Sequence, residues 1–351
     1  MVGFQPGGRL KYIRRIVVYT FHILFSKGED VAEGFEMKRF LKGLFLLSGV
    51  VFLSFAGSAP PSQAGAENPM KVFVSILPQK YFVKKIAGDL TDVFVMVEPG
   101  ASPATYEPRP KQMADISKAK IYFSIGVPFE KTWLKKISSI NSNMQIVYTD
   151  RWIRKIPMSA YGHHDEGTRH EKGEYGEAPS GEEAGPHDHG VLDPHIWLSP
   201  PLVMMQARMT LMALEEEDGT NRAVYEKNYR LFISELLDLD AELRNIFTGK
   251  QGLHFIVFHP AWGYFADAYG LKQVTIEVGG KEPKPAQLKE LIAYAKRMNI
   301  KVIFVQPEFS VKSANQVAKA IGGQVVFADP LAADWTDNVK NMAVKFKEAL
   351  R

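Results

Sequence analysis

Short apolar segments alternate with amphipathic helical segments along the chain from Met70 onward. In the first half, strands are predicted at 72–77, 93–97, 121–125 and 146–148, and helices near 79–87, 111–118 and 130–137. In the second half, strands are predicted at 255–258, 273–277, 302–305 and 325–327, and helices near 261–268, 285–298, 313–320 and 337–350. Apolar strands separated by helices are typical of a parallel sheet that is covered on both faces. The sequence therefore predicts an α/β fold with two parallel-sheet (βα) lobes.

Two further helices are predicted between the lobes, at 201–214 and 222–247. The second is long, and its Leu231, Leu236, Leu239 and Leu243 lie near helical spacing. A chain of 351 residues is too long for one small core. We therefore expect an N-terminal lobe at 67–200, connecting helices at 201–250 and a C-terminal lobe at 251–351. The long helix is a stiff connector that permits small rocking of the lobes rather than wide closure.

Residues 37–66 have the pattern of a cleavable signal peptide. A basic start at Met37-Lys38-Arg39 precedes an apolar run over 41–55 and an Ala64-Gly65-Ala66 cleavage site. The sequence thus predicts export to the periplasm or another extracytoplasmic compartment, with an uncleaved membrane anchor as the alternative. We interpret residues 1–36 as an upstream extension, with translation starting at Met37.

Charge and composition exclude several classes of protein. The net charge of +4 arises in residues 1–66, which hold 8 of the 43 Lys and Arg but only 4 of the 39 Asp and Glu. The remainder is balanced, so no basic surface for nucleic acid is predicted. The chain has no cysteine. Disulfides, thiolate zinc sites and a cysteine nucleophile are therefore excluded, and a metal must be held by histidine and carboxylate side chains.

Residues 161–192 form a low-complexity insertion rich in histidine. It contains five of the nine histidines, which are His163, His164, His170, His187 and His189. Over 161–193 there are nine acidic and two basic residues and almost no large apolar ones. Such a segment cannot fold alone, so we expect a solvated loop. It is either a plain linker or an auxiliary metal-binding loop, because clustered imidazoles and carboxylates bind transition metals.

Three side chains outside this loop are candidate ligands of one metal ion. His259 directly follows the predicted strand 255–258, Asp329 follows the predicted strand 325–327, and His195 lies in a turn-like Asp193-Pro194-His195 segment. Ligands of open parallel sheets bind beyond the carboxyl ends of strands. Two imidazoles and one carboxylate suit zinc. Taken singly, each histidine can instead be structural and Asp329 can be a helix cap. We interpret His254, at the start of its strand, as structural.

These residues lie in motifs that resemble the metal-binding solute-binding proteins of ABC importers for zinc and manganese. The matching segments run in order over 70–351: Pro99-Gly100-Ala101-Ser102-Pro103, Tyr106-Glu107-Pro108-Arg109-Pro110, Asp193-Pro194-His195-Ile196-Trp197-Leu198-Ser199-Pro200, Phe258-His259-Pro260-Ala261-Trp262-Gly263-Tyr264-Phe265, Gly280-Lys281-Glu282-Pro283 and Ala328-Asp329-Pro330-Leu331. The resemblance implies two (βα) lobes joined by a backbone helix, with the metal bound in the cleft between them. It also implies a monomer that delivers its ion to a membrane permease, and the His-rich loop resembles the zinc-type members.

The resemblance implies four ligands, at position 104, His195, His259 and Asp329. Position 104 departs from the family pattern, because Ala104 cannot coordinate a metal. Three protein ligands remain, and we expect water, Glu107 or a histidine of the 161–192 loop to complete the shell, with water or a loop histidine favoured.

The favoured hypothesis is an extracytoplasmic receptor that binds Zn(II) and delivers it to an ABC-type permease. Imidazole ligands favour zinc over Mn(II), which prefers harder, carboxylate-rich sites. One alternative is a zinc-dependent hydrolase with Glu107 or Glu308 as base. The chain has no H-E-x-x-H, G-x-S-x-G or phosphate-binding glycine motif to support it. The other alternative is an adhesion or storage protein whose loop buffers zinc.

Overall fold

The structure is a computed structural model that describes residues 68–158, 191–277 and 280–350. The predicted upstream extension and signal peptide, and the five histidines of the His-rich loop, lie outside the described residues.

The N-terminal lobe contains four strands and three helices. Its strands are β1 (Met70–Val74), β2 (Thr91–Val95), β3 (Ile121–Ser124) and β4 (Gln145–Tyr148). Its helices are α1 (Leu77–Ala87), α2 (Pro110–Ile116) and α3 (Pro128–Ile140). All pairings are parallel, in the order β2-β1-β3-β4.

The C-terminal lobe repeats this arrangement. Its strands are β5 (His254–Val257), β6 (Lys272–Thr275), β7 (Val302–Val305) and β8 (Gln324–Phe327), in the parallel order β6-β5-β7-β8. Its helices are α6 (Gly263–Tyr269), α7 (Pro285–Arg297), α8 (Lys312–Ile321) and α9 (Trp335–Ala349). The predicted α/β fold class with two parallel sheets is confirmed.

The strand orders determine where each lobe can bind a ligand. In each sheet the first strand pairs with the second on one side and with the third on the other. The connections that leave the first and third strands therefore diverge, and a crevice opens beyond their carboxyl ends. In the C-terminal lobe this crevice lies beyond β5 and β7. The segment after β5 begins with Phe258 and His259, so His259 is placed at the crevice.

Two helices connect the lobes, α4 (Pro200–Glu217) and α5 (Arg222–Ile246). Helix α5 packs against α1 of the N-terminal lobe and α9 of the C-terminal lobe. Its buried side chains are Tyr225, Phe232, Leu236, Leu239 and Leu243. Leu231 was predicted on this face, which is wrong: it is 57% exposed, and Phe232 occupies the buried position. The spacing of seven residues from Tyr225 to Phe232 explains this, since it equals two helical turns.

A continuous apolar core joins the two lobes through α5. It runs from Phe82 on α1 through Phe232 on α5 to Trp335 on α9, all of them buried. Phe82 meets Trp335 edge-on with ring centroids 5.2 Å apart. A second core lies between the C-terminal sheet and helices α7 and α8. Since aromatic rings from both lobes interlock, the core resists wide separation of the lobes. Within the described ranges, no helix has the length and apolarity needed to cross a membrane.

Candidate metal centre

His195 is buried and its ring is oriented by Asp193. One carboxylate oxygen of Asp193 accepts a hydrogen bond from the backbone N–H of His195 at 2.8 Å and lies 2.7 Å from its Nδ1. The hydroxyl of Tyr264 donates to the backbone carbonyl of Asp193 at 2.9 Å. Because an ionised carboxylate can only accept, Nδ1 carries the proton and Nε2 keeps a free lone pair. His195 can therefore bind a metal through Nε2, in the arrangement common for histidine ligands.

Burial also prepares the charge state of His195. Removal from water disfavours the imidazolium and lowers the pKa of His195, while the carboxylate of Asp193 acts in the opposite direction. The pKa remains below its usual value, so the ring is neutral at pH 7. The neutral ring is the form that coordinates a metal.

His259 has a matching arrangement at the carboxyl end of β5. Its Nδ1 lies 2.8 Å from Oε1 of Glu277, which follows β6. Gln306, which follows β7, accepts from the backbone N–H of His259 at 3.2 Å and donates to its carbonyl at 2.7 Å. The same argument places the proton on Nδ1 and leaves Nε2 for a metal. Three neighbouring strand ends thus determine the position and orientation of this ring.

The two imidazoles lie together. Their ring centroids are 5.1 Å apart and the planes are inclined by 72°. Two histidines that share one zinc ion have such a separation, because each Nε2 lies about 2.0–2.1 Å from the metal. The structure therefore brings His195 and His259 into one candidate centre.

Asp329 lies beyond the end of β8 and is half-buried. Its Oδ1 accepts from the backbone N–H of Leu331 at 2.7 Å, which leaves Oδ2 for a ligand. Burial raises the pKa of Asp329. Trp197, two residues after His195, donates from Nε1 to the carbonyl of Pro330 at 2.7 Å. This bond ties the His195 segment to the turn that carries Asp329.

A cavity of about 240 Å³ opens between the carboxyl ends of the two sheets. Its N-terminal wall comes from Ile76 and Leu77 and from the loop over 97–100. Its C-terminal wall comes from Pro307 and Glu308 after β7 and from Asp329 and residues 331–333 after β8. A larger depression of about 400 Å³ between the ends of α5 and α9 is lined by Ile246, Lys250, Val344, Lys347, Glu348 and Leu350. It offers one carboxylate, whereas the wall of the smaller inter-lobe cavity carries three, those of Glu98, Glu308 and Asp329.

The predicted ligands are not yet arranged around a single point. Among residues 68–158, 191–277 and 280–350, no three His, Asp or Glu side chains are close enough to hold one ion in this conformation. His195 and His259 are adjacent, and Asp329 is not close enough to both to complete a group of three among the described residues.

The structure places the other predicted ligands as follows. Ala104 and Glu107 are both exposed, and neither lines the inter-lobe cavity. His163, His164, His170, His187 and His189 lie outside the described residues.

A buried carboxyl group lies at the carboxyl edge of the N-terminal sheet. Glu130 accepts from the backbone N–H groups of Ile125 and Gly126 at 2.9 and 2.8 Å and from the hydroxyl of Ser75 at 2.5 Å. Burial raises the pKa of Glu130 to about 7. Both of its oxygens are already occupied, so we interpret it as a brace between the ends of β1 and β3.

Sequence reasoning missed the carboxylates that orient the histidines. Glu277 was predicted inside a strand over 273–277, but β6 ends at Thr275, and Glu277 lies beyond the strand end. His259 and Asp329 were selected because each follows the end of a predicted strand. With the end of β6 placed at Thr275, the same rule would have selected Glu277. Asp193 was part of the quoted motif, and the signal was its position two residues before His195.

A protein family described as zinc-uptake complex component A, periplasmic (ZnuA) matches residues 72–349. The chain belongs to this family. The match spans both lobes and all three predicted ligands outside the loop, and the ZnuA family name agrees with a centre built from imidazole and carboxylate.

Individual relatives agree with the ZnuA assignment. The zinc-uptake protein ZnuA of Bacillus subtilis (strain 168) is 30% identical over 287 residues, which cover 80% of this chain and 86% of that protein. The zinc-binding lipoprotein AdcA of Streptococcus pneumoniae (strain R6) is 28% identical over 281 residues, 80% of this chain. The match spans only 53% of AdcA, so about half of that protein has no counterpart in this match.

Solved structures agree as well. A crystal structure of ZnuA is 40% identical, covers 81% of this chain and all of that one, and superposes with a TM-score of 0.71. A zinc-bound deletion mutant of ZnuA is also 40% identical and covers 80% of this chain and 98% of that one, with a TM-score of 0.70. The two-lobe ZnuA fold is therefore shared over nearly the whole described chain.

The Glu277→Gln variant tests whether the carboxylate contact to His259 matters for this ZnuA-type centre. The amide is nearly isosteric but removes the charge that fixes the imidazole tautomer. We expect zinc affinity to fall by about 10–100-fold, the usual effect of losing a carboxylate behind a histidine ligand. A competitive zinc titration measures it. Glu290→Gln, an exposed carboxylate on α7, is the matched control, and an equal loss in both variants would contradict the assignment.

Proposed function

We propose that this ZnuA-family protein is an extracytoplasmic, high-affinity receptor that binds Zn(II) between its lobes and delivers it to an ABC-type permease. His195, His259 and Asp329 are the proposed ligands. The zinc ion is the transported cargo. Relatives named for zinc uptake and zinc binding support the choice of zinc over manganese, as does the chemistry of two imidazoles.

One observation carries the proposal. The ring centroids of His195 and His259 are 5.1 Å apart. Nδ1 of each ring is hydrogen-bonded to a carboxylate, so Nε2 of each ring is available to bind a metal. A structural histidine pair has no need of two carboxylates that fix the same tautomer. This arrangement is that of metal-binding histidines before an ion is bound.

The finer features of the proposal follow the family and the sequence. We propose that the signal peptide at 37–66 directs export of the protein. We propose that the exported protein acts as a monomer and docks to a membrane permease. The two lobes and the connecting helices are proposed to be distinct parts of this receptor. We propose binding without catalysis, since the relatives are named as uptake and binding proteins. The His-rich loop at 161–192 is proposed as an auxiliary zinc-collecting segment.

Uptake in the organism that carries the gene tests this function. Deleting the gene is expected to reduce radioactive zinc uptake at low zinc concentration, and restoring the wild-type gene is expected to recover it. A gene encoding His195→Ala/His259→Ala serves as the matched control and is expected not to recover uptake. Full uptake in the deletion strain, or full recovery by the double variant, would contradict the proposed role.

Zinc affinity is expected to depend on pH in a definite direction. Protons compete with zinc for Nε2, so affinity is highest above the ordinary histidine pKa of about 6.5 and falls as the pH is lowered. The pKa of His195 is lowered by burial, so this ring begins to protonate only at lower pH. For each imidazole that must lose a proton to bind zinc, the zinc affinity falls about tenfold for each pH unit below the pKa of that imidazole. Titrations between pH 5 and pH 8 measure the slope, and a flat profile would exclude imidazole coordination.

A further inference from the structure

The proposed ligand set is one protein ligand short of four. The resemblance places a histidine at position 104, but this chain has Ala104, whose methyl group is exposed. Zinc sites that retain their ion through protein ligands alone normally have four. Glu107, in the same loop, is exposed and outside the cavity. A replacement ligand is therefore best sought on the wall of the cavity.

Glu308 lies on that wall, beside Asp329. It follows the end of β7, where the connections after β5 and β7 diverge and the crevice of the C-terminal lobe opens. His259 lies at the other side of the same crevice. Glu308 thus occupies the third strand-end position around the cleft, after those of His259 and Asp329.

One oxygen of Glu308 has no partner within the described chain. Its own backbone N–H reaches the carboxylate, whereas Oε2 is buried and accepts no hydrogen bond from the described residues. Buried polar atoms are nearly always satisfied, and an unsatisfied one calls for an explanation such as a bound water or ion. Oε2 of Glu308 therefore has the free acceptor capacity that a metal ligand needs.

The turn that carries Glu308 is held rigidly against His259. Gln306, two residues earlier, makes two hydrogen bonds to the backbone of His259. Phe309, the next residue, stacks on the His259 ring with centroids 5.0 Å apart. The backbone on both sides of Glu308 is therefore held against this imidazole.

Charge complements this geometry. Burial raises the pKa of Glu308, the nearby charge of Asp329 raises it further, and His259 acts in the opposite direction. Two neighbouring carboxylates repel each other when both are ionised. A divalent cation between them would turn that repulsion into attraction.

We propose that Glu308 is the fourth zinc ligand of this protein and compensates for the histidine missing at position 104. The inference rests on the proposed function and specifies its ligand set as His195, His259, Glu308 and Asp329. Two imidazoles and two carboxylates carry a charge of −2, so their complex with a divalent ion is neutral. Carboxylate oxygens are harder ligands than imidazole nitrogens and suit Mn(II) better. This ligand set therefore distinguishes zinc from Mn(II) less strongly than a centre with three imidazoles, one of them at position 104, and one carboxylate.

Four variants of the full chain test this assignment by competitive zinc titration. Glu308→Gln removes the proposed ligand and is expected to weaken binding by about 100-fold or more, the share of one ligand in a four-ligand site. Glu107→Gln is the matched control from the other loop and is expected to retain wild-type affinity. Glu308→Gln/Ala104→His supplies the imidazole that the family pattern has at position 104 and is expected to recover most of the loss. His259→Ala reports on the proposed function itself.

The outcomes separate the two proposals. Wild-type affinity in Glu308→Gln together with loss in His259→Ala would overturn the role of Glu308 and leave the receptor function standing. Absence of tight binding in the wild type would overturn both. The visible absorption of bound Co(II) gives a second readout, because its intensity and position change when a carboxylate ligand is lost. An unchanged Co(II) spectrum in Glu308→Gln would also overturn the assignment, and unchanged circular dichroism in each variant shows that the fold is retained.

Discussion

Replacing His195 and His259 together by alanine is expected to abolish tight zinc binding. Structural zinc sites hold their ion with about 10–16 kcal/mol, or about 2.5–4 kcal/mol for each of four ligands. Loss of two ligands therefore costs about 5–8 kcal/mol, which is on the order of 10⁴-fold or more in the dissociation constant. Neither ring belongs to the main apolar core, so the fold is expected to survive. A competitive zinc titration with circular dichroism on the same samples measures both effects.

The control for this variant is a chain that lacks residues 161–190. It removes the five loop histidines and retains the proposed cleft ligands. We expect one tight site per chain to remain in it. The reverse pattern, with tight binding lost on deletion of the loop and retained in the double variant, would make the protein a loop-based zinc buffer.

The Trp335→Ala variant is expected to cause the largest loss of stability. Trp335 is fully buried, and it packs edge-on against Phe82 of α1 with centroids 5.2 Å apart. Its Nε1 donates to the carbonyl of Trp197 at 2.7 Å. Truncation leaves a cavity between the lobes and a carbonyl without its donor. We expect the free energy of unfolding to fall by about 3–5 kcal/mol.

Urea unfolding of this variant measures the loss. Trp152→Ala is the matched control, because that side chain is 67% exposed, and its effect is expected to stay within about 0.5 kcal/mol. Equal effects of the two substitutions would contradict a core shared between the lobes. Since the Trp197 segment also carries His195, zinc binding to Trp335→Ala is expected to weaken as well.

The segment that carries His195 is held in place by a few specific hydrogen bonds. The Asp193 carbonyl is bound by Tyr264, and Trp197 is bound to Pro330. These bonds join the segment that carries His195 to the C-terminal lobe, while the backbone N–H of Asp193 donates to the carbonyl of Ile156 in the N-terminal lobe at 2.9 Å. The His195 segment is thus held against the lobe that carries His259, which explains why the two imidazoles are adjacent.

The fold was predictable because its signal is local. Apolar strands that alternate with helices indicate parallel sheets in any context, and every predicted strand has a counterpart in the structure. Boundaries were less accurate, since hydrogen bonding between strands decides where each one ends. The end of β6 at Thr275 rather than at Glu277 is one example. On α5, Leu231 and Phe232 are both apolar, and only tertiary packing decides which is buried.

The candidate site was predictable only in part. His195, His259 and Asp329 were selected by residue type and by position after a strand or in a turn. Their orientation depends on Asp193, Glu277 and Gln306. Two of these three lie more than 15 residues from the histidine they fix, and no local pattern connects them. The unpartnered oxygen of Glu308 depends on the same tertiary arrangement.

The most direct test of the zinc centre is the anomalous difference map of zinc-loaded crystals, recorded at the zinc absorption edge. We predict one strong peak in the inter-lobe cavity, about 2.0–2.1 Å from Nε2 of both His195 and His259 and about 2.0–2.2 Å from a carboxylate oxygen of Asp329. A peak confined to the His-rich loop or to surface carboxylates, with the cavity empty, would contradict the account.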